Sequence, residues 1–267
     1  MIYQTIELEV ANGVGTVWLN RLEIRNAMNE VVIAELAHAA KACEQDDLVR
    51  VVVLAGRGKA FCAGADLSWM KKMAAYSDAE NIRDAQALAN MLYTLYNLKK
   101  PTIARVHGPA YAGGMGLACT CDVIVAEPDA EFCLSEVKIG LIPSTISPYV
   151  VRALGSHQSR RYMLSGERMS AVEGYRQGFV HALSEHGAID DAVQKIATAF
   201  LSAGPVAVST TKELLDWVAE QPITASVISE TALRIAKVRA SPEGKEGVGA
   251  FLEKRTPNWL GDGAKAS

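Results

Sequence analysis

Residues 102–126 read TIARVHGPAYAGGMGLACTCDVIVA, and the order of apolar, small and turn residues along them decides the fold class. Thr102 to Val106 is a short apolar run released by Pro101, a residue that ends the preceding helix. A glycine- and alanine-rich loop follows, then a short helical stretch, then a second apolar run from Asp122 to Ala126. Strand, loop, helix, strand in this order is a right-handed crossover within a mostly parallel sheet. The upstream sequence repeats it. Residues 3–10 and 14–19 alternate like strands around the hairpin signal Asn12-Gly13. Residues 30–45 carry Val32, Leu36, Ala40 and Cys43 at helical spacing, and Val51 to Leu54 suits a strand buried on both faces. Ser77-x-x-Glu80 is a capping box, continued by Ile82, Ala85, Leu88, Leu92 and Leu95.

From about Ser147 the pattern turns nearly all helical, over 148–155, 157–164, 170–177, 188–202, 205–220 and 223–239. The expected organisation is an α/β core over residues 1–195 followed by a helical region over 196–267. The tail GDGAKAS at 261–267 is expected to fray.

At 267 residues, 49% hydrophobic and 21% charged, the chain can bury a sizeable core, which excludes disorder. A net charge of −3 gives no general attraction to nucleic acid or anionic membrane. Any anion must therefore be held by a few local charges and oriented amides. No apolar run approaches the roughly 20 residues of a membrane helix, and MIYQTIELEV lacks the pattern of a signal peptide. A cytoplasmic protein is expected. Of the five cysteines only Cys119 and Cys121 are close, and C-x-C is not a redox or zinc spacing; reduced, partly buried thiols are expected. The five histidines show no ligand spacing, so no metal site is expected.

Three segments could carry chemistry: GKAFCAGADL at 58–67, HGPAYAGGMG at 107–116 and FCLSEVKIGLIP at 132–143. The first two follow strands, at the carboxyl end of a parallel sheet where ligands usually bind. Small residues let backbone N–H groups approach a ligand, and two N–H groups from separate loops aimed at one oxygen form an oxyanion hole. Glycine also serves tight turns and close helix–sheet packing, and composition leaves both readings open. Gly113-Gly114-x-Gly116 is not G-x-G-x-x-G, and no phosphate loop occurs.

The chain resembles the enoyl-CoA hydratase/isomerase (crotonase) superfamily over nearly its whole length. The resemblance rests on NRLEIRNAMN at 20–29, FCAGADL at 61–67, GPAYAGGMGLACTCDVIVA at 108–126, FCLSEVKIGLIP at 132–143 and FLEKR at 251–255. It implies a crotonase-like ββα-superhelix core in which the N–H groups of Ala65 and Gly113 hold a thioester oxygen. It further implies that Ala63, Gly64, Asp66 and Leu67 lie along coenzyme A, beside Gly114 and Gly116. Arg25 is a candidate phosphate contact, although Leu22 and Ile24 stand where the family has Pro and Lys. Phe251 and Lys254 match positions that touch CoA across a subunit boundary in trimers or dimers of trimers. Coenzyme A enters as part of the substrate, and no separate cofactor is expected.

Hydratases of this family commonly use two glutamates. The first would fall at 116, where this chain has glycine; the second is Glu136, flanked by Leu134, Val137 and Ile139. A carboxyl in an apolar pocket stays protonated more readily and suits a general acid. One glutamate fits a hydratase, a Δ3,Δ2-enoyl-CoA isomerase, or a member that only binds. CLSEVKIGLIPSTISPYVVRALG, GADLSWMKKMA and SPEGKEGVGAFLEKRTP look most like the methylglutaconyl-CoA and isohexenylglutaconyl-CoA hydratases of leucine and acyclic terpene breakdown. That resemblance favours a lyase over an isomerase. A non-catalytic or RNA-binding scaffold is the reading from another class, weakened by the absence of a Lys/Arg stripe and the presence of Glu136. Trp69, Met70 and Met73 are expected either to shape an acyl pocket or to pack as ordinary core. Arg152 is either a partner for a distal carboxylate or a surface residue. Gly116 is expected to leave a space where the carboxylate would sit.

Overall fold

The computed structural model describes residues 2–260, and the expected fraying of 261–267 lies outside the described residues. The chain divides into two compact units, one running to Leu98 and resuming at Thr102–Ala197, the other made of Lys99–Pro101 and the chain from Thr198 onward.

The first unit is built on a six-stranded sheet. A hairpin of β1 (Ile6–Ala11) and β2 (Val14–Leu19) turns at Asn12 and Gly13, both with positive φ, as an Asn-Gly turn requires. After α1 (Glu30–Gln45) the chain enters β3 (Val51–Gly56), then α2 (Leu67–Met73), α3 (Asp78–Tyr96) and β4 (Thr102–Val106). A short β5 (Ala110–Tyr111) leads to α4 (Gly113–Cys119), β6 (Val123–Ala126) and β7 (Glu131–Cys133). Next come α5 (Ser147–Ser165), β8 (Arg168–Ser170), α6 (Ala171–Arg176), β9 (Ala182–Leu183) and α7 (Ile189–Ser202), which carries the chain into the second unit. The large sheet has the order β1-β2-β3-β4-β6-β9 and is parallel except for the hairpin. β3 lies between β2 and β4, and all six of its residues are buried, so both its faces are covered and it reads as an apolar run without alternation.

Caps set the helix starts. The Asn29 side chain accepts from the N–H groups of Val31 and Val32 at the start of α1. Ser77 and Glu80 form the expected capping box of α3 in both directions. Leu36, Ala39 and Ala40 of α1 join Met91, Leu92 and Leu95 of α3 in the core, where a fully buried leucine contributes about 1.5–3 kcal/mol.

A second sheet of order β5-β7-β8 is the main departure from the sequence reading. Its strands are two or three residues long, too short for periodicity to register. The helical stretches 148–155 and 157–164 are α5, bent at Gly155, where φ is 77°.

The second unit contains α8 (Pro205–Ala219), α9 (Ala225–Ala240) and α10 (Pro242–Glu253). Helix α10 falls within the expected helical region but beyond the last stretch that spacing picks out, because Gly244, Gly247 and Gly249 depress its helical signal. A Cβ at Gly244 would collide with the Val238 carbonyl, and one at Gly247 would lie 2.9 Å from the Trp259 ring. Close packing explains these two glycines, and Ser241 caps a helix that opens on Pro242.

Candidate active site

Two loops leave the carboxyl ends of β3 and β4 and run against each other. Cys62 pairs with Ala110: its N–H donates to Pro109 O at 3.1 Å, and its carbonyl accepts from Tyr111 at 2.9 Å. Met28 pairs with Ala65 by donating to Gly64 O at 2.7 Å and accepting from Asp66 N–H at 2.8 Å. In such a parallel bridge Ala65 contributes neither of its own backbone groups. Its N–H faces the other way and has no partner among the described residues.

Ala112 sets the second loop. Its φ of 48° and ψ of −120° are strained for a residue with a Cβ, and its N–H is fixed to Cys133 O at 2.7 Å. The turn launches α4 with Gly113 as first residue, so the Gly113 N–H has no intrahelical acceptor, and it has no other partner among the described residues. The loops touch where side chains are least. A Cβ on Gly64, which has φ of 98°, would lie 3.3 Å from Ala112 Cβ. A Cβ on Gly114 would strike the Cys62 carbonyl and lie 2.8 Å from Cys62 Cβ. The glycines therefore secure close packing, and that packing sets two free N–H groups on adjoining loops.

Arg21, which the sequence reading passed over, holds the first loop from beneath. Its guanidinium donates to Ala27 O at 2.6 Å and pairs with Asp66 at 2.9 Å. Burial pushes the Asp66 carboxyl up, but the Ser68 N–H and Arg21 outweigh it and hold it below the usual carboxylate range. The Asp66 side chain is thus occupied in capping α2 and anchoring the loop. Buried Asn26 adds bonds to Arg21 N–H, Arg57 O and Ala60 O. Arg25 accepts from Ala63 N–H through its carbonyl at 3.0 Å, while its exposed guanidinium has no partner among the described residues. Leu67 is 74% exposed. Trp69 packs in the core and donates its indole N–H to Asp84 at 3.0 Å, which is the ordinary-core alternative. Met70 and Met73 are half-buried.

Glu136 opens a 3-10 turn, Glu136–Ile139, closed by Gly140 with φ of 78°. The second sheet ties this turn to the glycine loop. β5 pairs with β7 through Ala110–Phe132 and Tyr111–Cys133, and Cys133, three residues before Glu136, accepts from Ala112. Oε2 of Glu136 is buried with no hydrogen-bond partner. Burial raises the Glu136 pKa above its ordinary 4.5, and the carboxyl's bond to its own N–H does not cancel that effect.

Gly116 does not leave a space. It lies buried within α4 in ordinary helical conformation, and a Cβ there would collide with Ile146 Cγ2 and lie 2.7 Å from Ile146 Cβ. Ile146, which precedes α5, occupies the volume that a side chain at 116 would need.

Phe251 and Lys254 close α10 in the second unit. Phe251 is 82% exposed, and Lys254 takes the left-handed C-cap conformation, its ammonium unpartnered among the described residues. The Arg152 guanidinium lies 5.6 Å from the Tyr96 ring centroid. All five cysteines are free thiols, with only Cys121 not fully buried. Among the described residues no helix is long and apolar enough to cross a membrane, and no three His, Cys, Asp or Glu side chains gather to hold a metal ion.

Two backbone donors without partners among the described residues thus lie on adjoining loops, and the segment just before a buried carboxyl oxygen is bonded to one of those loops. The chain belongs to the enoyl-CoA hydratase/isomerase family, whose model matches residues 9–262. It is 39% identical to an enoyl-CoA hydratase from Shewanella pealeana whose solved structure superposes with a TM-score of 0.93, covering 96% of each chain. It is 31% identical to the (E)-benzylidenesuccinyl-CoA hydratase of Thauera aromatica, over 96% of this chain and 99% of that one. It is 30% identical to the 2,3-dehydroadipyl-CoA hydratase of Escherichia coli strain K12, over 91% and 93%. The crotonase-like α/β core with a helical C-terminal region is the expected fold.

Proposed function

We propose that the protein is an enoyl-CoA hydratase that adds water across the conjugated double bond of an acyl-CoA thioester, with Glu136 as its acid–base group. The reading rests on a single observation: a buried, unpartnered carboxyl oxygen tied through the Ala112–Cys133 bond to the loops that present the Ala65 and Gly113 N–H groups. Water oxygen bonds to the β-carbon, the double-bond electrons move to the thioester oxygen, and the two N–H groups hold the resulting enolate. Glu136 delivers its proton to the α-carbon and takes one from the added water, so it ends as it began. Arg25 and the loop over 63–67 would lie along CoA.

The acyl group we propose is a 3-branched glutaconyl. The chain resembles hydratases of that branch, and two relatives are named for thioesters of dicarboxylic acids, succinyl and adipyl, as glutaconyl is. With glycine at 116 there is no second carboxylate on α4 to repel that of the substrate. A Δ3,Δ2-enoyl-CoA isomerase is the second reading, favoured by the same lone carboxyl, since one base suffices to carry a proton between carbons. Assaying crotonyl-, 3-methylglutaconyl-, isohexenylglutaconyl- and 3-enoyl-CoA decides between them. Hydration of a glutaconyl thioester at least tenfold faster than of crotonyl-CoA supports the proposal, and turnover of 3-enoyl-CoA alone replaces it with the isomerase.

The region 196–267 is proposed to complete the CoA site and to build a trimer or dimer of trimers. The exposed Phe251 and Leu252, at 82% and 73%, supply apolar surface for such a contact. Truncation after Gly249 should weaken CoA-ester binding and disturb assembly, as read by calorimetry and sedimentation; a fully active monomeric wild type would contradict this.

A further inference from the structure

We infer that Ile146 is a specificity-determining residue, the wall against which the substituent on the β-carbon of the acyl chain packs; the inference rests on the acyl-CoA reading above. Three observations carry it. Gly113 and Gly116 are three residues apart on α4, so they share one helix face about one turn apart. A thioester oxygen at the Gly113 N–H puts the α- and β-carbons within two to three bonds of that point, close to the first turn of α4. At that level Gly116 offers only backbone, and the surface laid over it is Ile146, whose β-branch would overlap any Cβ at 116. The third observation is connection. Ile146 stands ten residues after Glu136 in a segment that leads from the 3-10 turn into α5, and it is itself 2% exposed. The segment that follows the acid–base turn thereby packs one aliphatic side chain on the helix that carries the Gly113 donor. A β-branched residue has little χ1 freedom, so this wall is stiff and its reach is set by its methyl groups.

Pocket size can be read without turnover by the affinities of saturated, unreactive thioesters: butyryl-CoA, 3-methylbutyryl-CoA and 3,3-dimethylbutyryl-CoA. Ile146→Ala should raise the affinity for 3,3-dimethylbutyryl-CoA relative to butyryl-CoA by about tenfold or more, the scale of one or two methyl groups in a hydrophobic pocket. Ile146→Val should shift the ratio the same way by about threefold. Gly116→Ala should shift it in the opposite direction, because the new Cβ drives Ile146 into the pocket, and adding Ile146→Val should return the ratio towards wild type. Thermal melts identify the variants that fold, and the valine variant removes only one methyl, so it decides if the alanine variant does not. Ratios within twofold of wild type in every folded Ile146 variant would make Ile146 core packing only and overturn the inference. The inference and the proposed reaction fail separately: a wild type that binds the series yet hydrates no enoyl thioester refutes the reaction alone.

Discussion

Replacing Glu136 by glutamine should lower kcat on a conjugated acyl-CoA thioester by about 10²-fold or more while leaving KM nearly unchanged. Glutamine keeps the shape and the buried position and removes the transferable proton. On the proposed reading, binding is made by backbone donors and by CoA contacts that the substitution does not touch. The pH dependence follows from the raised pKa: burial keeps Glu136 protonated where an exposed glutamate has ionised. As the acid for the α-carbon it should lose activity as pH rises through that raised value, a limb absent from the residual rate of the Gln variant. Stability has the same sign. The folded state binds the Glu136 proton more tightly than the unfolded chain, whose pKa is 4.5. This contribution is fully present below 4.5 and is lost as pH rises through the folded value. The melting temperature of Glu136→Gln relative to wild type should therefore climb with pH across that window. A variant keeping half the wild-type kcat would remove Glu136 from the mechanism.

Gly114→Ala should cut kcat/KM on any acyl thioester by about 10²-fold or more, with kcat the larger loss, and should lower the melting temperature. The added Cβ would meet the Cys62 carbonyl and Cβ, and backbone cannot swing away as a flexible side chain can. Overpacking of this kind costs about 1–3 kcal/mol, and at this chain size each kcal/mol is about 2–4 °C of Tm. The effect on activity should exceed the effect on stability. The loop carrying Cys62 leads within three residues to Ala65, and Gly114 follows Gly113, so parting the loops moves both proposed oxyanion donors. A displacement of about 1 Å at a catalytic group can cost about 10²-fold. Gly249→Ala is the control: its Cβ would meet only the Arg255 guanidinium at 3.8 Å, an ordinary contact, and no loss of stability is expected. A Gly114→Ala enzyme with more than a third of wild-type activity would show that the tight contact does not position the donors.

Much of this protein is legible in one dimension. Parallel order, the β1–β2 turn at Asn12-Gly13, the Ser77–Glu80 capping box and the buried β3 run each depend on residues that interact with near neighbours, where periodicity and turn chemistry carry the information. The small residues at 63–65 and 113–116 were visible, as was Glu136, but the motifs alone left open whether the glycines serve packing or a ligand. Contacts between distant segments decided the rest. The three-stranded sheet that ties the segment before Glu136 to the glycine loop has strands too short to show a period, and it exists only because β5 and β8 can both pair with β7. Arg21 reads as one basic residue among many until its pair with Asp66 closes over 45 positions of chain. Gly116 reads as an opening, yet Ile146, thirty residues on, fills it. Absence of a side chain is a local fact, whereas the volume left behind belongs to whichever segment packs there, and close packing seldom leaves it empty.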